Sequence, residues 1–321
     1  MRNEVYEYIN NIRRRIVPDA REKHYGSYMS FDDKAISPGC MACKTGSWLC
    51  VFVGTKCNAT CPHCPNPNVN GKKDIMEASG FGEADFDRIE EILGSGLFTG
   101  VGISGGEPLL YLDKTVELTR RIKRSFPQLY VWNYTNGILA TEKNLERLAK
   151  AGIDEIRFDL AAERYSERTL ANMERATKII PSVGIEVPVL TDMQDDLLRA
   201  VDLADAAGVK YINLHDLYVN DAMYKNGAGA YIRSYDPVSG VQRDIVHSAP
   251  LIYGVFRHIK DNSLNIVPND CTLINMQLQH IGVKYLEARY KGSLYMDFEQ
   301  YMIAVLTLMD KEKLLVTGDK K

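Results

Sequence analysis

The chain has 321 residues, 45% of them hydrophobic and 25% charged, the composition of a globular protein long enough for one large α/β domain with an appendage. A formal net charge of −3 gives no electrostatic case for binding nucleic acid or an anionic membrane, and no run approaches the roughly 18 apolar residues of a membrane span. The N-terminal stretch up to Arg13-Arg14-Arg15 is polar and lacks the apolar core of a signal peptide, so the protein is read as cytoplasmic and the arginine run as a solvated helix face.

Residues 1–46 form an N-terminal extension that carries Cys40-Met-Ala-Cys43. Short apolar runs then alternate with longer amphipathic ones, the mark of βαβ units on a parallel sheet. Strands are predicted at Trp48–Gly54, Gly100–Ser104, Leu129–Thr135, Asp154–Leu160, Gly184–Leu190 and Val209–Leu217. Helices are predicted between them at Asp85–Leu93, Leu112–Ser125, Thr141–Ala151, Arg168–Ile180 and Gln194–Ala207. Thr141 reads as an N-cap, and Gly152, Gly184 and Gly208 read as the C-terminal caps that separate each helix from the next strand. Six units with right-handed crossovers make an α/β fold, a partial (β/α)6 TIM-like barrel over 47–219, with a flat doubly wound sheet as the alternative. After Val219 the rhythm stops. Asn220–Gly240 reads as an irregular loop, and helical patterns return at Gln242–Lys260, Leu273–Tyr290 and Asp297–Leu315. The region 220–321 is therefore expected to be a mainly helical extension that closes the barrel.

Six of the seven cysteines lie between Cys40 and Cys64, which in a reducing compartment points to metal or catalysis rather than to disulfides. Cys57, Cys61 and Cys64 directly follow the first strand. Thiolates are soft ligands suited to iron–sulfur clusters, and Pro62 and Pro65 keep the segment a loop that can wrap one. Three ligands leave one iron of a cubane uncovered, which suits substrate binding better than simple electron transfer. The position agrees, because active sites of parallel barrels sit at the C-terminal ends of the strands.

The C-x3-C-x2-C spacing after a strand resembles the radical S-adenosylmethionine (SAM) superfamily over about Trp48–Leu217, and two further motifs fall in register with it. Ser104-Gly105-Gly106-Glu107-Pro108 is similar to the Gly-Gly-Glu-Pro motif of that family. Thr135-Asn136-Gly137 and Arg157-Phe158-Asp159-Leu160 resemble the pyruvate formate-lyase activating enzyme branch. The resemblance implies a [4Fe–4S] cluster on the three cysteines and SAM beside it. His63 would pack on the adenine, Gly105, Gly106 and Glu107 would hold the amino group, and Asn136 and Asp159 would lie close to SAM. Tyr134 stands where that branch has an acidic residue, which argues against its monovalent-cation site here. His215 or Asp216, ending the sixth strand, would face the same cavity, His215 as the candidate catalytic group.

The remaining thiols leave several readings open. Cys40 and Cys43, with Cys271 and Cys50, have the number and the C-x2-C spacing for a second metal, zinc or an auxiliary cluster. Alternatively the thiols, Cys271 above all, stand near the substrate as hydrogen-atom donors or redox groups, or Cys50 and Cys271 are small buried hydrophobes. The resemblance implies reductive cleavage of SAM to methionine and a 5′-deoxyadenosyl radical that abstracts hydrogen from a substrate. It also implies a flavodoxin- or ferredoxin-type reductant. A small-molecule substrate is the favoured reading, with Tyr211–Tyr235 as its lid. A glycyl-radical activating or peptide-modifying enzyme acting on a protein partner is the second, and a non-catalytic iron–sulfur or zinc protein the third.

Overall fold

Seven parallel strands join one sheet in the computed structural model, which describes residues 4–31, 33–61, 63–64, 69–71, 74–217, 231–236, 241–246 and 248–305. Helix α1 (Glu4–Ile16) precedes a small antiparallel ladder of β1 (Arg21–Lys23) and β2 (Tyr28–Ser30), and α2 (Pro38–Lys44) follows. The central run is β3 (Trp48–Phe52), the short β4 (Glu77–Ala78) and β5 (Gly82–Glu83), α3 (Phe86–Leu93), β6 (Gly100–Ser104), α4 (Leu112–Ser125) and β7 (Tyr130–Thr135). It continues through α5 (Glu142–Ala151), β8 (Glu155–Phe158), α6 (Glu167–Thr177), β9 (Ser182–Pro188), α7 (Gln194–Ala207) and β10 (Tyr211–His215). Then come the paired β11 (Tyr231–Asp236) and β12 (Val241–Val246), α8 (Ala249–Asp261), β13 (Val267–Cys271) and α9 (Leu273–Tyr290).

Local chemistry sets the helix ends. Asp85, Thr141 and Ser166 accept from the amides of Arg88, Asn144 and Thr169, and Gly152 and Gly208 take the left-handed C-cap conformation. Gly184 is no cap. It lies inside β9, whose first residues Ser182 and Val183 already pair with β8.

The sheet order is β13-β10-β9-β8-β7-β6-β3-β4-β5, with every neighbour from β13 to β3 parallel. The seventh parallel strand comes from the region expected to be mainly helical, so the boundary near 219 does not separate that region from the barrel. Val267-Pro-Asn-Asp-Cys271 lacks apolar periodicity because its core positions carry the buried polar residues Asn269 and Asp270, the latter held by Arg13 and Tyr253. Helix α9 leaves β13 at Thr272, yet its Gly282 packs on Gly46 just ahead of β3 and its Val283 packs on Gly80 beside β4. One helix reaches both edges only if the sheet curls, so the strands form an open barrel whose slot α9 bridges.

Strand residues alternate between faces. Val131, Ile156, Ile185, Ile212 and Leu214 point outward into the core beneath the helices. Trp132, Arg157, Glu186, Asn213 and Asn269 lie on the opposite, inward face. The N-terminal end of the barrel is plugged by α2. Gly39 lies so close to Trp132 and Arg157 that a Cβ there would meet the guanidinium at 2.6 Å, and Ala42 packs on Gly100.

Three expectations change outside the barrel core. Arg13 is not on a solvated face: it is 2% exposed, and its guanidinium donates to Asp270 Oδ2 at 2.6 Å, Tyr253 Oη at 2.7 Å and the Gly26 carbonyl at 2.9 Å. Arg14 and Arg15 are exposed. The helix expected at Gln242–Lys260 is a strand to Val246 and a helix only from Ala249. Of the expected lid, Tyr211–His215 and Tyr231–Asp236 are strands, and 218–230 lies outside the described residues. Residues 298–305 are helical, and the rest of that expected helix lies outside the description. No helix among the described residues is long and apolar enough to cross a membrane.

Candidate active site

A cavity of about 660 Å³ opens at the C-terminal ends of the strands. Among the residues predicted for the site, Cys40, Cys43, Cys50 and Cys271 stay out of its wall.

The cluster loop is stitched at its root to the Gly-Gly-Glu-Pro turn. Gly106 N donates to the Gly54 carbonyl at 2.9 Å, and Glu107 N donates to that of Lys56 at 2.8 Å. Gly106 is needed for this approach, since a Cβ would sit 2.2 Å from the Lys56 oxygen. The glycine thus admits the neighbouring loop, where the sequence alone suggested a ligand.

Cys57, Cys61 and Cys64 are half-buried at one end of the cavity. Burial, and then the neighbouring Asp159, Cys64 and Cys57, push the Cys61 thiol up to about 12. Thiols that disfavour one another's charge in this way call for a cationic centre. The Ala59 amide points at Cys57 Sγ from 3.4 Å and Asn136 Nδ2 from 3.7 Å, donors of the kind that tune an iron–sulfur ligand. The residues present fit a [4Fe–4S] cluster.

Glu107 is 1% exposed and works as a staple. Its Oε1 accepts from the Leu109 amide at 2.9 Å and Thr135 Oγ1 at 2.9 Å, and its Oε2 from the Asn136 amide at 2.7 Å. Burial outweighs these bonds and raises its carboxyl to about 7. Asp159 caps the turn after β8, accepting from Ala161 N on Oδ1 at 3.1 Å, while Oδ2 faces His63 Nε2 at 4.0 Å. His63 is 6% exposed and neither ring nitrogen has a hydrogen-bond partner. A buried imidazole left unpaired beside a cavity points to a ligand.

The opposite wall contains a residue that the sequence reading missed. Glu186 accepts from His215 Nε2 at 2.5 Å, Asn213 Nδ2 at 2.6 Å and Arg157 Nη1 at 3.1 Å. Burial alone would raise its carboxyl, but His215 and Arg157 outweigh that and hold it near about 2. Arg157 also pairs with Glu155, donates to Ser37 Oγ at 3.0 Å and lies 5.0 Å from the Trp132 ring centroid. The available signal was one carboxylate inside the apolar run Ile185-Glu186-Val187.

The other thiols stand behind this wall. Cys40 Sγ donates to Asn213 Oδ1 at 3.2 Å, and Asn269 Nδ2 donates to that same oxygen at 2.8 Å and to Cys271 Sγ at 3.2 Å. Cys43 takes a hydrogen bond from Gln279, which itself lines the cavity. Burial pushes Cys40 and Cys50 up to about 12 and Cys43 to about 11. The C-x2-C pair lies on helix α2, not in a metal knuckle. Among the described residues the one group of three ligand atoms within 4.8 Å is Cys61, His63 and Asp159, so Cys40 and Cys43 gain no third ligand. Cys271 is 5% exposed and does not line the cavity.

Comparison with known proteins agrees with this geometry. The family model of the Radical SAM superfamily matches residues 51–223, more than half of the chain. A protein of Methanocaldococcus jannaschii with the provisional name glycyl-radical enzyme activating enzyme is 28% identical over 253 residues, 75% of this chain and 66% of that protein. The PqqA peptide cyclase of Granulibacter bethesdensis is 28% identical over 168 residues, 48% of this chain and 42% of the cyclase. The chain thus spans less than two thirds of either relative. Among solved structures, Streptococcus suis SuiB bound to the precursor peptide SuiA shares 17% identity, with a TM-score of 0.49 over 85% of this chain and 55% of that one. That overlap is too loose to carry function.

Proposed function

The chain belongs to the radical SAM superfamily, and from that membership we propose an enzyme in which Cys57, Cys61 and Cys64 hold a [4Fe–4S] cluster. SAM would be bound between His63, Asn136 and Asp159, against the Gly105-Gly106 turn. When bound, cluster and cofactor together supply the reductive cleavage of SAM to methionine and a 5′-deoxyadenosyl radical that abstracts hydrogen from the substrate. The chain's own residues do the rest. Three thiols leave one position of a cubane open. Glu107 locks the end of β7 to the turn, so Asn136 holds its place beside Cys57. His63 offers its unpaired nitrogens to the nucleoside.

The substrate end is the wall of Glu186 and His215. His215 is 26% exposed, and Glu186 fixes its ring through Nε2, so the imidazole can meet a polar group of the substrate in one orientation. We read the substrate as a small molecule because a cavity of about 660 Å³ must hold SAM and the reacting group together. The observation that carries the reading is that thiols, unpaired imidazole and the Glu186–His215 pair share this one cavity. A protein or peptide substrate is the second reading, favoured by the names of the activating enzyme and the peptide cyclase that the chain resembles.

Anaerobic reconstitution with SAM and dithionite tests the first step. A protein with its full iron complement that makes no 5′-deoxyadenosine would sink the proposal. Fractionated cell extract separates the two substrates. A low-molecular-weight filtrate that stimulates 5′-deoxyadenosine formation supports the small molecule, and stimulation confined to the macromolecular fraction supports the partner protein.

A further inference from the structure

Cys61, His63 and Asp159 place one sulfur, one imidazole nitrogen and one carboxylate oxygen within 4.8 Å of one another. A tetrahedral zinc ion at about 2.3 Å from sulfur and about 2.0 Å from nitrogen separates such ligands by roughly 3.5 Å. A closure of about 1 Å therefore completes the site. Two observations show that it is built for a ligand. His63 is 6% exposed with both ring nitrogens unpartnered. Asp159 has one oxygen tied to the Ala161 amide, which turns the other toward His63. Cys57 and Cys64 are not members of the group, so it differs from the cluster's own ligand set.

We propose that the chain, before it carries its cluster, binds one divalent transition-metal ion at Cys61, His63 and Asp159. The mixed sulfur, nitrogen and oxygen set suits zinc, iron(II) or cobalt(II) and not the hard cations magnesium and calcium. Binding releases the Cys61 proton to solvent. Thiolate and carboxylate then balance the ion's two charges, and water takes the fourth position. The ion and the cluster exclude one another because both need Cys61, a consequence that rests on the cluster assignment. Zinc in this site blocks cluster assembly.

Cobalt(II) titrated into metal-free protein is the test, and it needs neither SAM nor cluster. The expected result is one cobalt per chain, with the visible bands of a tetrahedral site and a thiolate charge-transfer band. His63→Ala and Asp159→Asn should each weaken binding at least tenfold, and Cys61→Ser should remove the charge-transfer band. Cys57→Ser and Cys64→Ser should keep the site. Zinc-loaded protein given iron and sulfide should stay colourless until a chelator strips the zinc. His63→Ala that still assembles its brown cluster shows that its lost cobalt site is not a folding defect. Cobalt binding that survives His63→Ala, binding that vanishes in Cys57→Ser, or no stoichiometric site at all would overturn the proposal.

Discussion

Replacing Gly106 by alanine separates the Gly-Gly-Glu-Pro turn from the cluster loop without touching a thiol. The added Cβ would lie 2.2 Å from the Lys56 carbonyl oxygen, 2.5 Å from its carbon and 2.6 Å from the Thr55 oxygen. Backbone atoms cannot swing aside, so relieving the clash moves turn and loop apart by about 1 Å. That movement breaks the bonds from Gly106 N to Gly54 O at 2.9 Å and from Glu107 N to Lys56 O at 2.8 Å. Two such bonds contribute about 2 kcal/mol, a melting shift of roughly 3 °C for a chain of 321 residues. A misplacement of about 1 Å at a reacting centre costs on the order of 100-fold in rate. Iron content measured on anaerobically purified protein should stay near wild type, while 5′-deoxyadenosine formation with dithionite falls at least tenfold. Gly254→Ala is the control, since nothing stands within 4 Å of its added carbon. Gly106→Ala that melts within about 1 °C of wild type and cleaves SAM at a comparable rate would refute the stitching argument.

Other substitutions probe the remaining assignments. Cys61→Ala should lose the brown chromophore and its iron, while Cys40→Ala keeps the iron and loses about 1–2 kcal/mol with its bond to Asn213; equal iron in both variants would remove the loop as the cluster site. Arg13→Met strips the partner of Asp270, itself 0% exposed, and should destabilise by about 3–5 kcal/mol, whereas Arg14→Ala changes stability by less than about 0.5 kcal/mol; identical melting curves would contradict the buried assignment. For Glu107, burial raises the carboxyl from 4.5 to about 7, so the folded chain holds a proton that the unfolded chain releases. Metal-free protein should then lose about 3 kcal/mol as pH rises from about 4.5 through about 7. Glu107→Gln should flatten that slope, and melts from about pH 5 to 8 that keep the wild-type slope would refute the burial argument.

Regular packing made much of the fold readable. β6, α4, α7 and α9 have their expected bounds: α4 carries a clear amphipathic period and Gly208 ends α7 in the left-handed conformation. The cluster side of the site was legible because its residues sit in short contiguous motifs at successive strand ends. The facing wall was legible only at His215, because Arg157 and Glu186 come from two other strands and meet it only through the pairing of β8, β9 and β10. β13 escaped for a related reason. Its Asp270 is buried against Arg13 and Tyr253, so the residues that secure the strand are the ones that hide it from a hydrophobicity pattern.

The cysteine pair shows how one spacing gives different chemistry on different backbones. In a turn, C-x2-C aims two sulfurs at one ion. On a helix, residues three apart share a face, and here that face turns into the barrel. The sign of a helix was present in Ser37-Pro38: Ser37 caps the Gly39 amide and Pro38 occupies the first turn, where its missing N–H costs nothing. Read that way, Cys40 becomes a plug residue whose thiol meets Asn213, and Asn213 in turn donates to Glu186. The N-terminal extension therefore supports the active wall from beneath through hydrogen bonds.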